Sequence, residues 1–199
     1  MWATISQAFG IFTVTNIDDI VILALFFGRT CSSRRATARI VIGQYLGFGA
    51  ILAISVLAAL GAQLLPPPVI PYLGLLPLAL GLRAAWNAWR EHHIAEPPDP
   101  TTLTRSGAGA LTVAAVTLAN GGDNIGVYVP VFTTAGPSRL LIYAVVFLAL
   151  VALWCAAGRY LATRPIIAGA LSRWGHILLP AVLIAIGLLI LVHGGAFGL

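Results

Sequence analysis

Three aspartates, Asp18, Asp19 and Asp123, stand inside long apolar segments of the sequence. The other acidic residues lie in one polar, proline-rich stretch at 91–99. A carboxylate at the centre of an apolar helix costs about 2.5–3.5 kcal/mol on membrane-insertion scales. A structural polar cluster is the alternative explanation, but ionisable groups at such positions generally mark functional sites. These aspartates are therefore the first candidates for chemistry.

Amide and hydroxyl side chains surround the aspartates in the sequence. Carboxylate, amide and carbonyl oxygens are the ligands that hard or borderline divalent cations prefer. Adjacent glycines beside Asp123, followed by Pro130, should also weaken the helix there and expose backbone carbonyls. The predicted cation ligands are Asp18, Asp19, Asp123, Asn16, Asn120 and Asn124, with Thr15, Thr117, Gly121 and Gly122 as additional candidates.

The charge of this residue set suggests a coupling mechanism. Three carboxylates around a dication leave about one negative charge, which one proton can neutralise. When the cation leaves, closely spaced carboxylates repel one another and should take up protons. We therefore expect cation release to be coupled to proton uptake, and transport to fail once a proton gradient is collapsed.

The composition identifies the solvent of most of the surface. The chain is 59% hydrophobic and only 9% charged, with a mean hydropathy of +0.97, whereas soluble domains carry about 25% charged residues. Such a surface requires lipid, so the net charge of +5 is better explained by loop topology than by nucleic-acid binding. All eleven basic residues are arginines.

Six apolar runs are long enough to cross a bilayer, which takes roughly 20 residues in a helix. Backbone groups in hydrocarbon must be bonded internally, and runs of this length achieve that as helices. The sequence therefore predicts an all-α integral membrane protein with six transmembrane helices. They cover about 5–27, 40–62, 69–89, 107–133, 140–161 and 177–192.

Arginine placement predicts the orientation of these helices. Ten arginines flank the first, third and fifth loops, and only Arg139 flanks the others. Arginine-rich loops stay in the cytoplasm, so both termini should lie outside the cell membrane. A linker at 91–106 separates two three-helix halves, 1–90 and 107–199. Because three is odd, the halves must have opposite orientations, which is an inverted 3+3 repeat.

The repeat is also visible in the polar residues. A shift of 105 residues places Asp18 on Asp123 and Asp19 on Asn124. Polar residues are scarce in both helices, so their coincidence carries more weight than apolar matches. The shift predicts that the aspartates come from equivalent helices of the two halves.

Other candidate ligands lie outside the apolar runs. His92 and His93 in the linker could capture metal at the cytoplasmic mouth, although adjacent histidines in a loop are more often merely solvated. Cys31 and Cys155 have no spacing that suggests a disulfide or a thiolate metal site. No cofactor is predicted beyond a transported cation.

The sequence resembles the cadmium-resistance (CadD-type) transporter family, a branch of the lysine-exporter superfamily. The resemblance rests on residues 16–21 (NIDDIV) and more strongly on residues 119–130 (ANGGDNIGVYVP), and it extends over nearly the whole chain. It implies efflux of cadmium across the cytoplasmic membrane, with a metal site at Asp18, Asp19, Asp123 and the adjacent asparagines. Cadmium is soft and favours thiolates, whereas this site offers oxygen, so manganese, zinc or calcium remain alternatives.

Three other functions compete with metal efflux. The same superfamily suggests export of a cationic amino acid, but no mid-membrane arginine is available to pair with its carboxylate. A membrane enzyme with a catalytic metal would need a substrate-entry domain, for which the chain has no room. A non-transporting structural subunit would tolerate Asp123→Asn. Homo-oligomerisation is left open by the sequence.

Overall fold

The computed structural model describes residues 2–28, 33–91, 109–163, 181 and 184–192. All regular structure in these segments is helical, as expected for apolar runs that bond their own backbone groups. Residues 184–192 form the last described helical segment. The other elements are α1 (Trp2–Thr15), α2 (Ile17–Gly28), α3 (Arg34–Ala62), a 3-10 helix (Pro67–Gly74), α4 (Leu75–Glu91), α5 (Ala110–Asn120), α6 (Gly122–Ala135) and α7 (Pro137–Leu161).

Two helices are long and apolar enough to cross a membrane singly, Arg34–Ala62 and Ser138–Leu161. The bent pair α1 and α2 qualifies as a third span if it is counted as one. Shorter apolar helices cover Val69–Arg83 and Ala110–Asn120. The described residues therefore support an all-helical, membrane-like protein with two or three spans by length and composition.

The predicted first span, 5–27, is two helices that meet at Asn16 with a bend of 58°. This break was not predicted. Its cause is local competition for backbone groups: the Thr15 hydroxyl bonds the Ile11 carbonyl at 2.9 Å, and the Trp154 indole N–H donates to the Asn16 carbonyl at 2.6 Å. Side-chain bonds of this kind bend helices because they compete with the regular backbone bonds.

The predicted fourth span is interrupted as well, at Gly121 between α5 and α6. The weakening expected at the paired glycines is confirmed here, whereas α6 continues through Pro130. The third predicted span also differs, because its first part is a 3-10 helix that contains Pro71. Proline lacks the N–H that an α-helix needs at that position.

The long helices each pack along one broken pair. Helix α3 lies against α5 and α6, and α7 lies against α1 and α2. Between them the core is rich in rings whose centroids lie 4.8 to 6.3 Å apart. This aromatic cluster comprises Phe12, Phe48, Tyr128, Phe132, Tyr143, Phe147 and Trp154.

Helix α3 approaches α5 closely at Gly43 and Gly47. A Cβ added to Gly47 would lie 2.7 Å from both the Ala114 carbonyl oxygen and the Thr117 Cβ. We expect Gly47→Ala to destabilise the protein by about 1–3 kcal/mol, because the two backbones must separate. Thermal denaturation of the purified protein would measure this loss.

Gly49 provides a matched control on the same helix. A Cβ added there meets nothing within 4 Å, and alanine favours a helix over glycine by about 1 kcal/mol. Gly49→Ala should therefore denature at the wild-type temperature or above it. Equal denaturation temperatures for the Gly47 and Gly49 variants would contradict the close approach of α3 to α5.

Candidate functional site

The two helix breaks place the aspartates at equivalent positions. Asp18 and Asp19 lie in the first turn of α2, and Asp123 lies in the first turn of α6. A helix N-terminus carries a partial positive charge, which favours acidic side chains there. The breaks therefore provide local stabilisation for carboxylates in the interior of the protein.

One amide joins the two acids of α2. Asn120 Nδ2 donates to Asp18 Oδ2 at 2.9 Å and to Asp19 Oδ1 at 2.8 Å. Asp18 also lies within electrostatic range of both Asp19 and Asp123. The structure thus brings the three predicted acids into one region, with Asn120, the last residue of α5, between the first two.

Asn124 lies beside Asp123 and faces α1. Its backbone N–H donates to Asp123 Oδ1 at 2.9 Å, and its Nδ2 donates to Asn16 Oδ1 at 3.1 Å. The side chain is 1% exposed, and its Oδ1 has no hydrogen-bond partner among the described residues. A buried amide oxygen in this state is available to a ligand.

Thr15 and Asn16 connect the end of α1 with α6 through hydrogen bonds to Tyr128. The Tyr128 hydroxyl lies 3.0 Å from Thr15 Oγ1 and accepts a hydrogen bond from Asn16 Nδ2 at 2.9 Å. Asn16 Nδ2 also bonds the Phe12 carbonyl. Both residues are buried, so in this conformation they stabilise the interface between the helices. Their predicted role as ligands stays a prediction.

The sequence reasoning missed Gln44, Tyr128 and Trp154 as residues of this region, whereas Thr117 was a predicted ligand. Gln44 Nε2 donates to Asp19 Oδ2 at 3.3 Å, and the Thr117 hydroxyl donates to Gln44 Oε1 at 2.7 Å. Tyr128 and Trp154 bond to the break at Asn16, as described above. The rule that singled out the aspartates concerns charged side chains in apolar runs, and these three side chains are uncharged.

Two cavities lie on opposite sides of the acids along the helix axes. The first, of about 760 Å³, lies between α5 and Ile22 of α2 and reaches Asn120. The second, of about 310 Å³, is lined by residues of α1, α6, α7 and the segment 184–192, including Gln7, Arg139 and Tyr143. Tyr143 also belongs to the aromatic cluster, which therefore borders the second cavity.

The remaining candidates are distributed as follows. Gly121 is buried and Gly122 is exposed, whereas His92, His93 and Cys31 lie outside the described residues. Cys155 is a buried free thiol within electrostatic range of Asp19. Within the described segments, no three His, Cys, Asp or Glu side chains converge closely enough to hold a metal ion by themselves.

Comparison with known proteins identifies a family for nearly the whole chain. A family profile described as cadmium resistance transporter matches residues 12–199. No curated protein and no solved structure gives a significant match. The profile covers both helix breaks and all three aspartates, and the resemblance inferred from the two motifs is confirmed. The chain therefore belongs to the cadmium resistance transporter family.

Proposed function

We propose that this protein exports divalent heavy-metal cations, cadmium first among them, across the cell membrane. The observation that carries the proposal is the placement of Asp18, Asp19 and Asp123 in one region beside two helix breaks, in a chain of the cadmium resistance transporter family. Charged carboxylates in an apolar interior are costly, and a transported dication would explain their presence.

The cation would bind between the acids of α2 and the start of α6. Asp18, Asp19 and Asp123 supply negative charge, and the asparagines supply neutral oxygens. Asn124 Oδ1 is the best supported of these, since it is buried and accepts no hydrogen bond within the described region. Each carboxylate oxygen has two lone pairs, so it can accept an amide N–H and still contact a cation.

Six transmembrane helices in an inverted 3+3 repeat form the architecture of the proposed transporter. Three observations support the repeat. The breaks at Asn16 and Gly121 are separated by the same 105 residues that align the aspartates. Each break precedes a half-helix with an acid in its first turn. Each broken pair packs on a long helix of the other half.

Alternating access is the mechanism that these features favour. If the arginine-rich loops lie in the cytoplasm as predicted, the cavity that reaches Asn120 would lie on the cytoplasmic side of the acids. The aromatic cluster and the network of Thr15, Asn16 and Tyr128 close the other side. We infer that this conformation faces the cytoplasm, and that export requires the α1–α6 contact to open toward the second cavity.

Proton uptake would return the empty site to the cytoplasmic side. Asp18 acts electrostatically on both other acids, so an empty site with three charged carboxylates is unfavourable. Protons can neutralise it after the cation leaves. His92 and His93 remain predicted as a cytoplasmic capture point.

The nature of the donor atoms favours a second group of substrates. The predicted ligands are oxygens, which suit manganese or calcium at least as well as cadmium. Zinc is intermediate between these ions and cadmium in its ligand preference. Export of one of these cations by the same site is therefore the alternative function.

Transport into inside-out membrane vesicles tests the function and its coupling together. Vesicles that contain the protein and hold the same cadmium concentration as the medium should accumulate further cadmium when an outward-directed proton gradient is imposed. A protonophore should reduce the initial rate to that of protein-free vesicles. Parallel assays with manganese, zinc and calcium identify the preferred cation. Undiminished cadmium uptake with the protonophore would exclude proton coupling, and the absence of uptake of all four metals would exclude the proposed function.

A further inference from the structure

A polar side chain of α3 reaches the acidic region from a third helix. Gln44 is 3% exposed, and both ends of its amide are bonded. Its Nε2 donates to Asp19 Oδ2 at 3.3 Å, while its Oε1 accepts a hydrogen bond from the Thr117 hydroxyl at 2.7 Å. The three side chains therefore form one connected path from α5 through α3 to α2.

The Asp19 carboxylate selects the N–H end of the Gln44 amide, because an ionised carboxylate only accepts hydrogen bonds, and the Thr117 hydroxyl holds the other end. A hydroxyl has one proton to donate, and that of Thr117 is directed to Oε1. With the oxygen held in this way, the N–H end must point toward Asp19. Turning the amide over would place its oxygen against the carboxylate, where neither group has a proton to donate.

The close approach of α3 to α5 makes this contact geometrically available. Gly47 lies one turn from Gln44 on α3 and sits directly against Thr117. A larger residue at Gly47 would push Thr117 away from the Gln44 amide. Packing between the two helices therefore sets the distance over which the hydroxyl and the amide meet.

With its Oδ1 bonded to Asn120 and its Oδ2 bonded to Gln44, the Asp19 carboxylate is held on both sides. We propose that Gln44, oriented by Thr117, is a positioning residue that fixes Asp19 for cation binding and thereby sets the cation affinity of the site. The inference rests on the proposed function, because it assigns a role at the same site. Groups hydrogen-bonded to metal ligands typically change metal affinity by about 10–100-fold when they are removed.

Cadmium binding to the purified full-length protein, measured by equilibrium dialysis, tests the inference. Gln44→Met keeps the length of the side chain and removes the amide, so binding should weaken by about 10–100-fold. Thr117→Val keeps the shape and removes the hydroxyl, and it should weaken binding by roughly 10-fold. Thr117→Ser retains the hydroxyl and should bind cadmium as the wild type does.

The double variant separates positioning from a general effect on stability. Since Thr117 acts through Gln44, the variant with Gln44→Met and Thr117→Val should bind no more weakly than Gln44→Met alone. Ser55→Ala is the matched control, because Ser55 is buried on the same helix and its hydroxyl donates to the Ile51 carbonyl of that helix rather than to the acidic region. It should leave cadmium affinity unchanged.

The outcomes distinguish this inference from the proposed function. If Gln44→Met binds cadmium as the wild type does while Asp19→Asn does not, the positioning role is overturned and the metal site stands. Equal weakening by Thr117→Val and Thr117→Ser, or additive losses in the double variant, would also overturn it. If Asp19→Asn itself binds normally, both the site and the role of Gln44 are wrong. If Gln44→Met does not fold, the two Thr117 variants decide the result.

Discussion

Cells that express the Asp19→Asn variant should be as sensitive to cadmium as cells without the transporter. Asparagine keeps the shape of the side chain and removes one of the three charges that hold the cation. Removing one partner of a buried charge pair costs about 3–5 kcal/mol, which corresponds to roughly 100- to 4,000-fold in cadmium affinity. Growth at graded cadmium concentrations would measure the loss of resistance, and cadmium binding to the purified protein would measure the loss of affinity.

The stability of the same variant should change in the opposite direction. Asp19 is 3% exposed, and asparagine would lose one of the two hydrogen bonds that Asp19 accepts, at about 1.5–3 kcal/mol. It would also remove a buried charge, which costs about 2.5–3.5 kcal/mol, together with the repulsion by Asp18. The metal-free variant should denature at or above the wild-type temperature, and added cadmium should no longer raise it. A structural role for Asp19 predicts a lower denaturation temperature with cadmium resistance retained, and that result would refute our assignment. Asp99→Asn, the same change in the predicted linker, is the matched control and should leave resistance intact.

Cadmium should bind more tightly to Asn120→Asp than to the wild type, yet be transported more slowly. The substitution adds a charge beside Asp18 and Asp19 and removes the N–H groups that bridge them. A bond to a charged group contributes about 1.5–3 kcal/mol, so losing two should destabilise the metal-free protein by roughly 3–6 kcal/mol. The additional negative charge then attracts the dication and hinders its release.

Denaturation with and without cadmium measures this effect, because a ligand stabilises in proportion to the logarithm of its concentration over its Kd. The rise in denaturation temperature caused by cadmium should be larger for Asn120→Asp than for the wild type. Thr112→Asp is the matched control: Thr112 lines the same cavity, but eight residues along a helix place it about 12 Å from Asn120. If cadmium raises the denaturation temperature of Asn120→Asp no more than that of the wild type, the placement of Asn120 at the cation site is contradicted. Asn120→Ala separates the loss of the bridge from the added charge.

The sequence identified the candidate site residues more successfully than it predicted their arrangement. Asp18, Asp19 and Asp123 were identified because charged side chains are rare in apolar segments, a signal that needs no neighbours. The interruption at Gly121 was predicted for the same kind of local reason, since adjacent glycines weaken a helix. The family resemblance likewise rested on two short motifs, and the family match confirmed it.

The break at Asn16 could not be predicted in this way. No glycine or proline stands there, and part of the interaction that ends α1 comes from Trp154, 138 residues away. Gln44 was overlooked for a related reason. A single amide in an apolar helix has no evident partner until α5 and α2 are placed beside it.

Composition and spacing by themselves determined the apolar, helical character of the chain, the unusual acids within it and the 105-residue spacing between Asp18 and Asp123. Only the tertiary structure decided that Asn120 bridges two acids, that Tyr128 connects to Thr15 and Asn16, and that a cavity ends at the acidic region. The physical reason is the distance along the chain over which each interaction acts. Burial cost and helix propensity act through a residue's own chemistry and its near neighbours, whereas a hydrogen bond between helices depends on where packing brings distant residues.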